Sequence, residues 1–286
     1  MKQIIPQSVH KIQQAFWRHS DYPHIEIRTT RDSHQAYKTH THAEISIGLI
    51  EQGQTALQCP QSELILSQDD IVLLPPGLPH ACNPLPGTTR SYQMIYIQTA
   101  WAMAILSRVH HRPVLALHPH AVQLVNPELA ATLRKTSTAL QRNPDIADQT
   151  VFDRCVIQIL CAAAPTWDNR PPSPLSQFVK TELLASLTAP PALAELACKA
   201  GCTVETLIRN FRRDYGMTPK AFLNNVRVET AKSFLRLGWS LVATALEVGF
   251  SDQSQFHKAF VTYTASTPGQ YQSASISDKT ATIIQP

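Results

Sequence analysis

Between residues 24 and 98 the apolar positions of this chain fall into six short runs, HIEIRTT, EISIGLI, TALQC, ELILS, DIVLLP and YQMIYIQ. Gly53, Asp69-Asp70, Pro75-Pro76-Gly77 and Pro86-Gly87 separate them. Short runs of β-branched and aromatic residues, closely spaced and bounded by turn formers, predict the strands of a small barrel or sandwich. Further along, the spacing becomes helical. Over about 127–142, Leu129, Leu133 and Leu140 share one face, and over about 149–164, Val151, Cys155, Ile159 and Ala163 recur every four residues. The two segments predict a helical hairpin packed on the barrel, with a dimer contact as its second use.

The stretch 165–174, PTWDNRPPSP, has four prolines and no hydrophobic period. Prolines restrict their own φ and the residue before each, so this reads as a semi-extended linker. After it one pattern occurs twice, from Ala197 to Pro219 and from Ala245 to Pro268. Up to the shared glycine the copies are 48 residues apart (Gly201/Gly249), and beyond it 49 (Thr203/Asp252, Leu207/Phe256, Phe211/Phe260), so the turns differ by one residue. Each copy predicts a helix, a glycine turn and a second helix capped by Thr203 or Asp252, which is a helix-turn-helix. Leu207 and Phe211 in the first unit, and Phe256 and Phe260 in the second, are i,i+4 core anchors. The outward stripes are Glu205, Ile208, Arg209 and Arg212 in the first unit, and Ser254, His257, Lys258 and Val261 in the second, with Gln253 near the helix start. Between the units, Thr218-Pro219 opens a helix that stops at Gly238. About twenty residues at ~1.5 Å each span roughly 30 Å, close to the ~34 Å of one DNA turn. Two recognition helices held by such a spacer could enter adjacent major grooves on one face of a duplex.

Composition adds boundaries to this picture. With 286 residues and 43% hydrophobic content, the chain can bury a real core and predicts two domains. Residues 175–272 carry ten Lys/Arg against seven Asp/Glu, whereas residues 1–164 are nearly balanced at thirteen against twelve. That bias fits phosphate neutralisation by the repeat-bearing half. Eleven of the twelve histidines lie before residue 121, which places any imidazole chemistry in the other half. The six cysteines form no CxxC pair and no disulfide framework. No apolar run approaches the ~20 residues of a bilayer span, and MKQIIPQSVHKIQQ lacks the apolar core of a secretory signal. The expectation is a soluble, cytoplasmic protein with no membrane partner.

The stretch from LAELA through RNFRRDYGMTP, FLNNVRVETAKSFL and EVGFSDQSQFHKAF to TP and Tyr271 resembles the AraC/XylS family of bacterial transcription regulators. The likeness covers residues 175–272. It departs at Thr244, where the family has Ile or Val, at Ala265 in place of glycine, and at Gln272 in place of arginine. The resemblance implies DNA-reading positions at Glu205, Ile208 and Arg209 in the first unit, beside Arg212, and at Gln253, Ser254, His257 and Lys258 in the second. Arg209 could pair with guanine, Glu205 accept from cytosine N4, Ile208 meet a thymine methyl, and Gln253 read adenine. Any of them could instead touch only phosphate or solvent, since at least half of such contacts go to the backbone.

In the first half, His40-Thr41-His42 precedes one strand, and a PxGxxH motif ending at His80 follows another. A small barrel with these two motifs resembles the cupin fold, a usual partner of this DNA-binding family. Metal-binding cupins add a Glu four or five residues after HxH. Here Ser46 and Ile47 stand there, and Glu44 comes too early. Residues i and i+2 of a strand share a face, so His40, His42 and Glu44 could converge with His80 and Cys82. His40, His42, His80 and Cys82 would suit Zn²⁺ or another divalent metal. The same five residues could equally line a pocket for an organic effector, or the histidines could be structural.

The expected fold class is α+β: an N-terminal cupin-like β-barrel with a helical hairpin, and a C-terminal all-α domain of two helix-turn-helix units joined by a spacer helix. The domains are 1–164 for effector binding and dimerisation, 165–174 as linker, 175–272 for DNA binding, and a poorly ordered tail at 273–286. The expected function is a ligand-responsive, dimeric transcription activator that engages double-stranded DNA, a small-molecule effector and RNA polymerase. The alternatives are a cupin dioxygenase or isomerase fused to a DNA-binding domain, and a constitutive architectural binder.

Overall fold

A computed structural model describes residues 13–60, 62–117, 120–142, 146–163 and 172–273. Its first half holds β1 (Gln13–Trp17), β2 (Ile25–Ser33), β3 (Ile45–Gln52), β4 (Thr55–Cys59), β5 (Ser62–Leu66), β6 (Asp70–Leu74), β7 (Ala81–Pro84) and β8 (Arg90–Ile97). Helix α1 (Thr99–Val109), strand β9 (Val122–Val125) and helices α2 (Pro127–Arg142) and α3 (Ile146–Ala162) follow. The second half is helical: α4 (Pro174–Ala185), α5 (Leu193–Lys199), α6 (Val204–Tyr215), α7 (Pro219–Arg236), α8 (Leu241–Glu247), α9 (Gln253–Thr264) and α10 (Pro268–Gln272).

All strand pairs are antiparallel, in a six-stranded sheet ordered β1-β2-β8-β3-β6-β9 and a three-stranded sheet ordered β5-β4-β7. The central strands are covered on both faces, which explains why they read as continuous apolar runs. Ile45, Ile47, Leu49, Ile71, Leu73, Ile95 and Ile97 turn outward into one core with α1, α2 and α3. The alternate residues Ile50, Val72, Leu74 and Tyr92 turn inward against Leu57 and Leu66 of the smaller sheet. The six expected strands and the helical hairpin are all present. Strands β1, β7 and β9 and helices α1, α4 and α10 went unread. Among these strands, β1 and β9 lie at the sheet edges with weak apolar alternation, and β7 is four residues ending in proline.

Of the expected linker 165–174, only the last three residues are described, and Pro174 already begins α4 behind a Ser173 cap. Most of the expected tail, residues 274–286, lies outside the described residues.

The helical half has two cores. One joins α4, α5 and α6 through Val179, Leu183, Leu196, Leu207 and Phe211. The other joins α7, α8, α9 and α10 through Val228, Leu235, Phe256, Phe260 and Tyr271. Thr203, Thr218 and Asp252 cap α6, α7 and α9 as their positions predict, each accepting a hydrogen bond from a backbone N–H in the first turn. The spacer α7 has 18 residues, or about 27 Å. Phe222 ties it to the first core by an edge-on contact with Phe211.

Two of the three family departures leave physical marks on the second unit. Ala265 ends α9 at φ 48°, ψ 29°, the left-handed region where a Cβ is crowded by its own backbone. Thr244 is fully buried in α8, and its hydroxyl has no hydrogen-bond partner among the described residues. The third, Gln272, donates to the Trp239 carbonyl at 2.7 Å. Ala265→Gly is expected to raise stability by about 0.5–1 kcal/mol through relief of the left-handed cap. Thr244→Val should add about 1 kcal/mol by removing an unpaired buried hydroxyl. Urea midpoints of the single and double variants check both, and unmoved midpoints would refute the strain account.

Candidate effector site and DNA-facing helices

The backbone brings the two histidine motifs together. His40 and His80 form an isolated antiparallel bridge, with each N–H donating to the other's carbonyl at 3.0 and 2.9 Å. Their rings lie 4.5 Å apart, and the His42 ring is 4.8 Å from His40 and 5.3 Å from His80. All three are buried, and one nitrogen from each lies within 4.8 Å of the others. His40 Nδ1 contacts the Lys38 carbonyl, and His80 Nδ1 the Leu78 carbonyl, both at 2.8 Å. A carbonyl only accepts, so the proton on each ring sits on Nδ1 and the Nε2 lone pair is free. Burial pushes all three imidazoles below their usual pKa, reinforced at His40 by its two neighbours and at His42 by Lys232. Three neutral, converging imidazoles suit a borderline dication such as Zn²⁺. The donor set fits a metal.

Two expected members stand apart from this triad. Cys82 lines the same cavity but is not one of the clustered donors, and burial pushes its thiol up to about 12, which disfavours the thiolate a metal would need. Glu44 lies 4.0 Å from Arg236 of α7 and is drawn to that cation instead of the histidines. Ser46, where a cupin carboxylate would stand, is fully buried.

The histidines form one end of a small cavity inside the barrel. Tyr37, Arg90, Tyr92, Met94 and Tyr96 continue its wall. A Cβ at Gly48 would meet Val72 Cγ1 at 2.9 Å and Met94 Sδ at 3.0 Å, so only glycine leaves this part of the wall open. Arg90 is buried between the Tyr37 and Tyr92 rings, and Arg28 donates to the Tyr37 hydroxyl at 2.8 Å. Thr55 Oγ1 and Arg90 Nη1 are buried on this cavity without a hydrogen-bond partner among the described residues. The cavity therefore combines apolar surface with unused hydrogen-bonding groups, as small-molecule sites do.

The helix that closes over this end is the expected spacer α7, but its docking on the barrel was not anticipated from the sequence. Asn225, Glu229, Lys232 and Arg236 lie at i, i+4, i+7 and i+11 on α7, hence on one face, and that face meets the barrel. Asn225 Oδ1 accepts from the Thr41 N–H at 3.1 Å, and its Nδ2 donates to the Thr41 carbonyl and hydroxyl, both at 3.0 Å. Glu229 Oε1 lies 3.4 Å from His42 Nδ1 and 2.7 Å from Lys232 Nζ. Arg236 reaches Glu26 at 2.9 Å, where Arg18 (2.6 Å) and the Tyr271 hydroxyl (3.1 Å) also converge. The polar repeat was visible in the chain, but a polar helix face ordinarily means solvent.

The expected DNA-reading residues are distributed as their helical stripes require. Glu205, Arg209 and Arg212 are exposed and half-buried Ile208 lies among them, all lining one surface groove with Arg213 on α6. Gln253, Ser254, His257 and Lys258 are exposed on α9. No helix among the described residues is long and apolar enough to cross a membrane.

Residues 196–274 match a family model described as a helix-turn-helix domain, and residues 22–151 one described as an AraC-like ligand binding domain. Over 242 residues the chain is 26% identical to YbfI of Bacillus subtilis, an uncharacterized HTH-type transcriptional regulator, covering 81% of this chain and 85% of that one. Over 111 residues it is 33% identical to the HTH-type transcriptional activator RhaR of Escherichia coli, covering 37% of this chain and 39% of RhaR. The structure of ToxT from Vibrio cholerae aligns with a TM-score of 0.53 at 12% identity, over 91% of this chain and 96% of that one. ToxT bound to an unsaturated fatty acid aligns with the same score at 10% identity, over 92% and 95%. These likenesses establish the shared two-part fold.

The Glu26 cluster yields a pH prediction. Burial alone would raise its carboxyl, but Arg236 and Arg18 outweigh that and hold it below the usual range. A depressed folded pKa means the stabilisation is complete above the unfolded value of about 4.3 and is lost as pH falls through the folded pKa. Glu26→Gln should cost ~3 kcal/mol at pH 7 by stranding buried cations, and flatten the loss of stability between about pH 5 and 3. Urea denaturation across that range checks it, and an unchanged acid limb would contradict it.

Proposed function

Because the chain belongs to the AraC-type family of transcription regulators, we propose that it reads promoter DNA with α6 and α9 under control of a small molecule in the barrel. The observation that carries this reading is the double role of α7. Its apolar face is built into the cores of both helix-turn-helix units, and its polar face seals the histidine end of the effector cavity. A ligand that shifts residues 40–42 therefore acts directly on the element that spaces the recognition helices. Such control requires different affinity for two arrangements of that contact.

Arg209, with Glu205 and Ile208, reads bases from α6, and Arg212 holds phosphate; Gln253, Ser254, His257 and Lys258 do the corresponding work on α9. The family setting favours activation in the cytoplasm, with contact to RNA polymerase and a dimer formed through the barrel domain and its hairpin. RhaR is named as an activator, and ToxT has been solved with an unsaturated fatty acid bound, which supports a ligand-holding role for this fold. The regulator reading is preferred to a cupin enzyme because Ser46, not a carboxylate, stands where the fourth metal ligand of such enzymes would be.

Selection of bound fragments from genomic DNA, followed by titration of the recovered site, tests the proposal. Arg209→Ala should lose about 1–3 kcal/mol on that site and much less on random DNA if it makes a bidentate base contact. An equal loss on both would reduce Arg209 to a phosphate contact, and failure to recover any shared site would overturn sequence-specific regulation.

A further inference from the structure

Resting on the reading of the barrel as an effector site, we propose that Glu229 of the spacer helix is a positioning residue for a divalent metal held by His40, His42 and His80, so that metal binding tightens the docking of the DNA-reading half on the barrel. Two of the three imidazoles are oriented from within the barrel, His40 by the Lys38 carbonyl and His80 by the Leu78 carbonyl. His42 is different. Its Nδ1 is buried, has no hydrogen-bond partner among the described residues, and faces Glu229 Oε1 at 3.4 Å. With Nδ1 beside that carboxylate, Nε2 is the atom His42 would offer to a metal. A carboxylate behind a ligating histidine fixes the ring and raises its basicity, and here the carboxylate comes from the other domain.

The neighbours of Glu229 make the link stiff. Lys232 Nζ, itself buried, holds its carboxylate at 2.7 Å. One turn earlier, Asn225 makes three hydrogen bonds to Thr41, the residue between two of the ligands. The segment that carries His40 and His42 is thus also the surface on which α7 docks. A cation on His42 Nε2 would draw electron density from the ring and favour closure of that 3.4 Å contact into a hydrogen bond from Nδ1–H to Glu229. Metal binding and docking then favour each other, and linkage requires the effect to be equal in both directions. Three neutral imidazoles, with the thiol of Cys82 outside the cluster, select borderline dications such as Zn²⁺, Ni²⁺ or Co²⁺ over Ca²⁺ or Mg²⁺.

The test uses the full chain and Co²⁺ as a visible probe. Wild type should develop ligand-field absorption at about one equivalent, and His80→Ala should lose it. Glu229→Gln, which keeps the shape but not the charge, should weaken Co²⁺ by about 10–100-fold in chelator competition. Asn225→Ala, with the carboxylate intact, should also weaken it. Hydrogen exchange along α7 should slow on adding Co²⁺ to wild type but not to Glu229→Gln, provided thermal melts show both folded. Equal Co²⁺ affinity and equal exchange in wild type and Glu229→Gln would overturn the proposal, as would a signal that survives His80→Ala. Wild type that takes up no Co²⁺ yet binds its selected DNA site would overturn the metal site and leave the regulator reading standing. Stoichiometric Co²⁺ uptake without any selectable DNA site would do the reverse.

Discussion

Helix α7 must satisfy two incompatible neighbours along the same 18 residues, and the rest of the architecture follows from how it does so. Val228, Ala231 and Leu235 serve the second helical core, and Phe222 reaches the first. The opposite face is polar and largely removed from water, with Asn225 and Lys232 buried and Glu229 and Arg236 partly so. A buried polar face is tolerated only when each group has a partner. Thr41 and Glu26 of the barrel domain supply them for Asn225 and Arg236, while Glu229 and Lys232 pair with each other beside His42. Such contacts add little net stability when complete and cost several kcal/mol when broken singly. An apolar seam would weld the halves together, whereas this one is specific in register and sensitive to small displacements.

The barrel solves a second problem of faces. Its larger sheet is buried on both sides, but the two sides differ in chemistry. The side toward α1, α2 and α3 is almost wholly aliphatic, while the inner side mixes Leu57 and Val72 with His42, Arg90 and three tyrosines. Two guanidiniums, Arg28 and Arg90, sit among aromatic rings without an ion pair among the described residues, where cation–π contact offsets part of their desolvation. Stability of the fold rests on the outer side, which leaves the inner side free to be chosen for a ligand.

Legibility in the chain tracked how local each signal was. The six strands, the hairpin of α2 and α3, and the caps at Thr203, Thr218 and Asp252 are local patterns, and each stands where its pattern predicts. The His40, His42 and His80 convergence was also within reach, because two short motifs flanking strands leave few ways to assemble. Cys82 and Glu44 were placed with them by strand alternation alone, which ignores the pull of a cation such as Arg236 from another domain. The docking face of α7 was beyond reach for the same reason. Asn225, Glu229, Lys232 and Arg236 look like a solvated stripe until Thr41, His42 and Glu26, nearly two hundred residues away, are brought against them.

The two DNA-reading units are therefore unequal, and the inequality follows the docking. Unit one ends α6 on Gly216, whose left-handed conformation costs nothing special, and presents Arg209 and Arg212 outward. Unit two ends α9 on Ala265 in the same conformation, with an unpaired hydroxyl at Thr244 behind it. The barrel braces that weaker end: the Gln14 amide donates to the Ala265 carbonyl, the Lys38 N–H reaches the Thr262 carbonyl at 3.4 Å, and Phe16 packs edge-on against Tyr271. A strained cap held by contacts from another domain has a geometry that depends on docking. A Cβ at Gly216 would meet Pro79 Cγ at 2.7 Å, so unit one also lies against the barrel, but at a cap free of strain, and only the second unit depends on that support to hold its turn.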